Sequence, residues 1–151
     1  MYLSIHAPVG IILAQQTDSP ILAFLIGIIS HFVLDIVPHG DSHIEPWVMK
    51  KYTQRLFTLA ILDLLATALI IFFILQNINF DPATTLAGLA GAVLPDFIWG
   101  LQIFLKQNKL LTKYARWHRR IHHSLPDIVS FPSGLLLQFL LLLGLFALNF
   151  K

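Results

Sequence analysis

Cysteine is absent from the 151 residues, so disulfides, thiolate metal ligands and a cysteine nucleophile are excluded. Any bound metal must therefore be held by nitrogen and oxygen. Charge is scarce: Asp, Glu, Lys and Arg make up 12% of the chain, about half the share of an average soluble domain. No glycine-rich phosphate loop opens a helix, and no serine occupies a nucleophile elbow. Ser30 and Ser124 each adjoin a histidine, but adjacency in sequence is not triad geometry. Internal repeats and low-complexity segments are also missing, and the start of the chain lacks the basic residues of a signal peptide.

What is present in quantity is hydrocarbon. Hydrophobic residues reach 56%, with a mean hydropathy of +0.74, which points to a chain that lives in a bilayer. Four runs, at about 20–38, 56–75, 84–105 and 131–149, approach the roughly 20 apolar residues that cross one. A fifth, about 3–16, contains Pro8 and Gly10 and is too short to cross unaided, as expected of a short or re-entrant helix. The expected fold is all-α: a polytopic integral membrane bundle of four to five helices, with residues 1–151 as one domain. Pro20 suits the first turn of its helix, and Pro38 with Gly40 ends it.

The formal charge of +2 is small, but its placement is uneven. Nine of the ten basic residues fall in two segments: Lys50, Lys51 and Arg55, then Lys106, Lys109, Lys113, Arg116, Arg119 and Arg120. The positive-inside rule puts both on the cytoplasmic side and puts the uncharged-to-acidic stretch Asn77, Asn79, Asp81, Pro82 outside. Beside membrane spans such basic runs read as a topology signal or a lipid-headgroup contact, not as a nucleic-acid surface. The expected location is the bacterial cytoplasmic (inner) membrane, with membrane lipids as partners and no nucleic acid.

Against this apolar background the ionisable residues stand out. His31 and Asp35 lie in PILAFLIGIISHFVLDIVPH, Asp63 in LFTLAILDLLATALIIFFIL and Asp96 in TTLAGLAGAVLPDFIWGLQIFL. A charged side chain in hydrocarbon costs a few kcal/mol or more, so such residues face a protein interior and mark function. His31 and Asp35 at i, i+4 share one helix face. His39 and Asp41 follow the break at Pro38 and can fold back to the same centre. Imidazole with carboxylate is a donor set for zinc, manganese or iron.

In WHRRIHHS, His118 and His122 are again spaced i, i+4, with His123 adjacent. Arg119 and Arg120 between them can hold an anionic group such as phosphate. The plainer alternative is a solvated basic loop. Asp96, after Pro95, can bridge metals or orient a ligand histidine, and otherwise hydrogen-bonds a neighbouring helix. His6 reads equally as ligand or interfacial histidine. Asp63 belongs to no motif, so helix packing is as good an account of it as ligation. His43 and Glu45 suit a solvated loop, and Asp127 suits a cap on the last helix. Counting 1.5 Å per residue puts Asp63 about 12 Å from Arg55 and brings nearly all these donors to the cytoplasmic side.

The ordered set of His6, SHFVLDIVPHGD, VLPD and WHRRIHHS resembles the YdjM-like family of predicted membrane-bound metal-dependent hydrolases, over residues 6 to 124. The resemblance implies metal-site roles for His6, His31, Asp35, Asp96, His118 and either His122 or His123. With His39 and Asp41 the donors exceed what one tetrahedral zinc takes, which favours two ions. The expected activity is hydrolysis of a lipid or other membrane-proximal phosphoester by metal-activated water, with Asp96, Arg119 and Arg120 catalytic. The alternatives are a metal-ion or proton transporter and a non-catalytic module stapled by a structural metal.

Overall fold

The computed structural model describes residues 1–40, 51–77, 81–105, 107–126 and 128–149. Among these residues it is all-helical, with six helices in chain order: α1 Leu3–Ala14, α2 Pro20–Ile36, α3 Tyr52–Asn77, α4 Pro82–Phe104, α5 Lys109–His122 and α6 Phe131–Asn149. Asp41, His43, Glu45 and Asp127 lie outside the described residues.

Local chemistry accounts for most of the boundaries. Ser19 caps α2 by accepting from the Leu22 amide, with Pro20 in the first turn. Val37, forced extended by the proline that follows it, stops α2 at Ile36, two residues short of the apolar run. Asp81 caps α4 through the Thr84 amide at 2.8 Å. That hydrogen bond holds its carboxyl below the usual range. Asn108 caps α5 by accepting from the Leu110 and Leu111 amides.

α5 is a helix that the five expected apolar segments do not include, and it excludes the solvated-loop alternative for residues 109–122. Its signal was an amphipathic one: Leu111, Ala115, His118 and His122 recur at helical spacing between basic residues. Ala115 and His118 are buried, while Lys113, Arg116, Arg119 and Arg120 are exposed.

α1 is the hub. It packs against α2, α3, α4 and α6, and Ile5, His6, Ala7, Ile11 and Ile12 are all buried. At 12 residues it is about 18 Å long, too short to cross a bilayer. α2 and α4 form the closest pair, and Gly91 is the reason: a Cβ there would collide with the Phe24 backbone carbonyl of α2. The chain then leaves α2 through Gly40, whose φ of +79° is the left-handed region that suits glycine.

Burial is inverted relative to a water-soluble domain. His6, His31, Asp35, His39, Thr84, His118 and Gln138 are buried, whereas Ile21, Leu69, Phe72, Leu86, Phe97 and Leu136 are exposed. Two helical stretches, Phe57–Asn77 and Pro82–Phe104, are long and apolar enough to cross a membrane; α1, α2 and α6 are apolar but shorter. Only 11% and 22% of the apolar windows of these two stretches are buried, so neither is the core helix of the fold.

Candidate metal centre

Four ionisable groups from α2, α4 and α5 converge. His31, Asp35, Asp96 and His118 each offer a donor atom, and the four donors lie within 4.8 Å of one another. α2 supplies His31 and Asp35 one turn apart. α4 supplies Asp96, in the turn that Pro95 loosens by lacking an N–H. α5 supplies His118, and Tyr114 one turn earlier donates from its hydroxyl to the Pro95 carbonyl at 3.0 Å, tying α5 to that turn. Burial, with the carboxylates nearby, pushes the Tyr114 phenol up to about 12.

The tautomer of His31 follows from its partner. Nδ1 lies 2.8 Å from the Ala92 carbonyl, which can only accept, so Nδ1 carries the hydrogen and the Nε2 lone pair of the neutral ring faces the cluster. There it meets two carboxylate oxygens, Asp35 Oδ2 at 3.2 Å and Asp96 Oδ1 at 3.7 Å, and His118 Nε2 at 3.2 Å, which accepts or donates according to its tautomer. Asp35 Oδ2 is buried and receives no hydrogen bond. A lone pair and two carboxylate oxygens turned toward one point call for a hydrogen or a cation among them: the His118 N–H, an added proton or a metal.

The spacing fits a metal. Bonds of about 2.0–2.1 Å in a tetrahedron give donor separations of roughly 3.3–3.4 Å. The His118 Nε2 separations, 3.4 Å to Asp35 Oδ2 and 3.6 Å to Asp96 Oδ1, fall around that value, as do those of His31. Burial depresses the basicity of His118, which keeps its ring neutral and able to ligate.

Other residues named from the sequence surround this group. His6 stacks on His31, centroids 4.0 Å apart, and its Nε2 lies 3.1 Å from Asp35 Oδ1. It supports the oxygen opposite the one that faces the cluster. The Met1 amino group lies 2.9 Å from the same Oδ1 and 3.3 Å from His122 Nε2. His39 donates from Nδ1 to the Val37 carbonyl at 2.6 Å and presents Nε2 to His122 Nε2 at 3.1 Å. His39 and His122 thus form a second imidazole pair beside the four-residue group. His123 is exposed and packs edge-on against His122.

A cavity of about 650 Å³ adjoins the centre and includes Asp96, His118, Arg119 and Trp99 in its walls. The Asp96 side chain is 32% exposed, against 1% for Asp35, so Asp96 is the member on the open side. Arg119 reaches this cavity; Arg120 is exposed and absent from the described walls.

Asp63 has a role that no sequence signal announced. Its carboxylate, on α3, accepts from the Leu3 amide at 2.7 Å and the Ser4 amide at 3.0 Å. It caps α1 from a different helix, and α1 has no side-chain cap of its own. Since His6 lies in the first turns of α1, this cap also sets where His6 meets Asp35.

No protein-family model, curated protein or solved structure matches this chain.

Proposed function

We propose that the chain is an integral membrane, metal-dependent hydrolase acting on a phosphoester at the headgroup level of a bilayer. The observation that carries the reading is the His31 lone pair, fixed by Ala92 and turned onto Asp35, Asp96 and His118 beside an open cavity. His31, Asp35 and His118 would hold the ion, zinc being the simplest fit to this donor set, and the fourth position, on the cavity side beside Asp96, would be left open. A bound divalent cation would supply an activated water there near neutral pH. Asp96 would take that water's proton, and Arg119 would pair with the anionic phosphoryl oxygens. Arg120 would contribute charge at the membrane surface. His39 and His122, with His123 packed against His122, are the candidates for a second ion.

Membrane residence is supported by the inverted burial and the largely unburied apolar windows of α3 and α4. Placement in an inner membrane with the centre facing the cytoplasm rests on the basic segments alone. The resemblance to the YdjM-like hydrolases agrees with this reading.

A second reading has a specific observation in its favour. Four protein donors complete a tetrahedron, and a closed site is the mark of structural zinc. One experiment separates the two. Detergent-purified, untagged wild type and His31→Ala are compared for bound metal and for hydrolysis of phospholipid in mixed micelles. Metal-dependent turnover lost in His31→Ala supports the hydrolase. Bound metal with no turnover in the wild type leaves the structural staple.

A further inference from the structure

α3 and α4 are consecutive in the chain and, among the described residues, are the two helices long and apolar enough to cross a membrane, yet their described residues do not pack against each other. Antiparallel neighbours joined by a short connection ordinarily pack together. Here α1 packs against both instead, and the cavity beside the candidate metal centre has Ala60 of α3 and Trp99 and Gly100 of α4 in its walls. Its remaining walls are polar: Asp63 of α3, Asp96 of α4, and His118, Arg119, His122 and His123, with Met1. The cavity therefore joins an ionisable wall that includes Arg119 to the space between two apolar helices.

Apart from Asp63, whose carboxylate is taken up by the α1 amides, the helix surfaces flanking that space are apolar. Phe57 and Leu64 lie one turn either side of Ala60, and both are 58% exposed. Phe97 and Phe104 lie one turn either side of Gly100, at 63% and 78%. Gly100 faces open space, with nothing within 4 Å of where its Cβ would be. A volume of about 650 Å³ suits a ligand far larger than a lone phosphate. A water-soluble ester would have no partner for the apolar half of this space.

We infer that the gap between α3 and α4 is a lateral portal for a membrane amphiphile with an anionic phosphate head. The head lies against Arg119 and the metal-ligand cluster, and the hydrocarbon chain leaves past Ala60 and Gly100 into the bilayer. This deepens the hydrolase reading by assigning the substrate class and its route; it concerns binding, so it is testable without turnover.

The probe is phosphatidic acid with a photoactivatable diazirine in its acyl chain, doped into phosphatidylcholine vesicles that contain the full chain. Illumination followed by peptide mass spectrometry locates the adducts. The expected result is adducts concentrated at Ala60, Trp99 and Gly100 relative to the exposed Leu69 and Phe72, and not displaced by soluble glycerol phosphate. Gly100→Leu, which fills the gap without striking a neighbour, should lower them about tenfold. Adducts spread evenly over exposed apolar side chains, or unchanged in Gly100→Leu, would overturn the portal, and so would displacement by glycerol phosphate. Phosphate release is followed in the same samples. Portal adducts without hydrolysis sink the hydrolase and keep the portal; hydrolysis of a soluble ester without portal adducts does the reverse.

Discussion

Asp35→Asn is the most informative single change, because the side chain keeps its shape and loses only its charge. Asp35 stands at the middle of the polar core: Oδ2 faces His31 and His118 at 3.2 and 3.4 Å, and Oδ1 faces His6 at 3.1 Å. A structural zinc with four ligands is worth about 10–16 kcal/mol, so one ligand carries roughly 2.5–4 kcal/mol, or about a hundred- to a thousand-fold in affinity. The metal-free protein should lose stability too, because Asp35→Asn removes the charge that the buried Met1 amino group, 2.9 Å from Oδ1, pairs with; breaking a buried pair costs about 3–5 kcal/mol. The assay is thermal unfolding of untagged protein in detergent, followed by tryptophan fluorescence, with zinc or with chelator. At zinc a hundredfold above its dissociation constant the wild type gains about 2.7 kcal/mol, a rise of roughly 5–10 °C. Asp35→Asn at the same zinc should gain at most about 0.4 kcal/mol, a rise below about 2 °C. Equal zinc-dependent shifts in the two proteins would refute the metal centre. A melting temperature for Asp35→Asn in chelator equal to or above that of the wild type would show that the Met1–Asp35 pair does not serve the fold.

Three further outcomes follow from the packing around the centre. His6→Phe keeps the stack on His31 and removes the contact to Asp35, so zinc affinity measured by chelator competition should fall about 10- to 100-fold with little change in apo stability; an unchanged affinity would remove His6 from the site. Asp63→Ala strips the cap from α1 and should destabilise the fold by about 1–2 kcal/mol in denaturant titrations, with Asp63→Asn intermediate. Tyr114 ionises at about 12 in the fold, above its ordinary value of 10.0. The folded chain thus retains a proton that the unfolded chain releases, and stability falls as pH rises from about 10 to 12. Tyr114→Phe should flatten that alkaline decline, and an unaltered slope would show that another group governs it.

The membrane-like composition, the helical class and the identity of the core donors were legible in the sequence because each is a property of a short window. Apolar runs give helices, a proline with a glycine ends one, and an i, i+4 pair shares a face whatever surrounds it. Those rules place His31 with Asp35 and single out Asp96 and His118. The extent of α2 was misjudged by two residues because a hydropathy run does not register that Val37, before a proline, must extend. α5 was missed because its face is lined by histidine and alanine, which a count of large apolar residues passes over.

The rest depended on contacts between segments distant in the chain. Asp63 could not be told from a ligand until the Leu3 and Ser4 amides were seen to meet it, 60 and 59 residues away. The direction of the His31 lone pair was settled by the Ala92 carbonyl of another helix, and no spacing rule encodes that. That α3 and α4 do not pack together is likewise a tertiary fact, since sequence neighbours are expected to pack and here α1 lies against both. By itself, then, the sequence determined which groups are too polar to meet hydrocarbon. The tertiary structure decided which of them meet each other, because donor geometry, tautomer and access depend on distances that only the packed helices set.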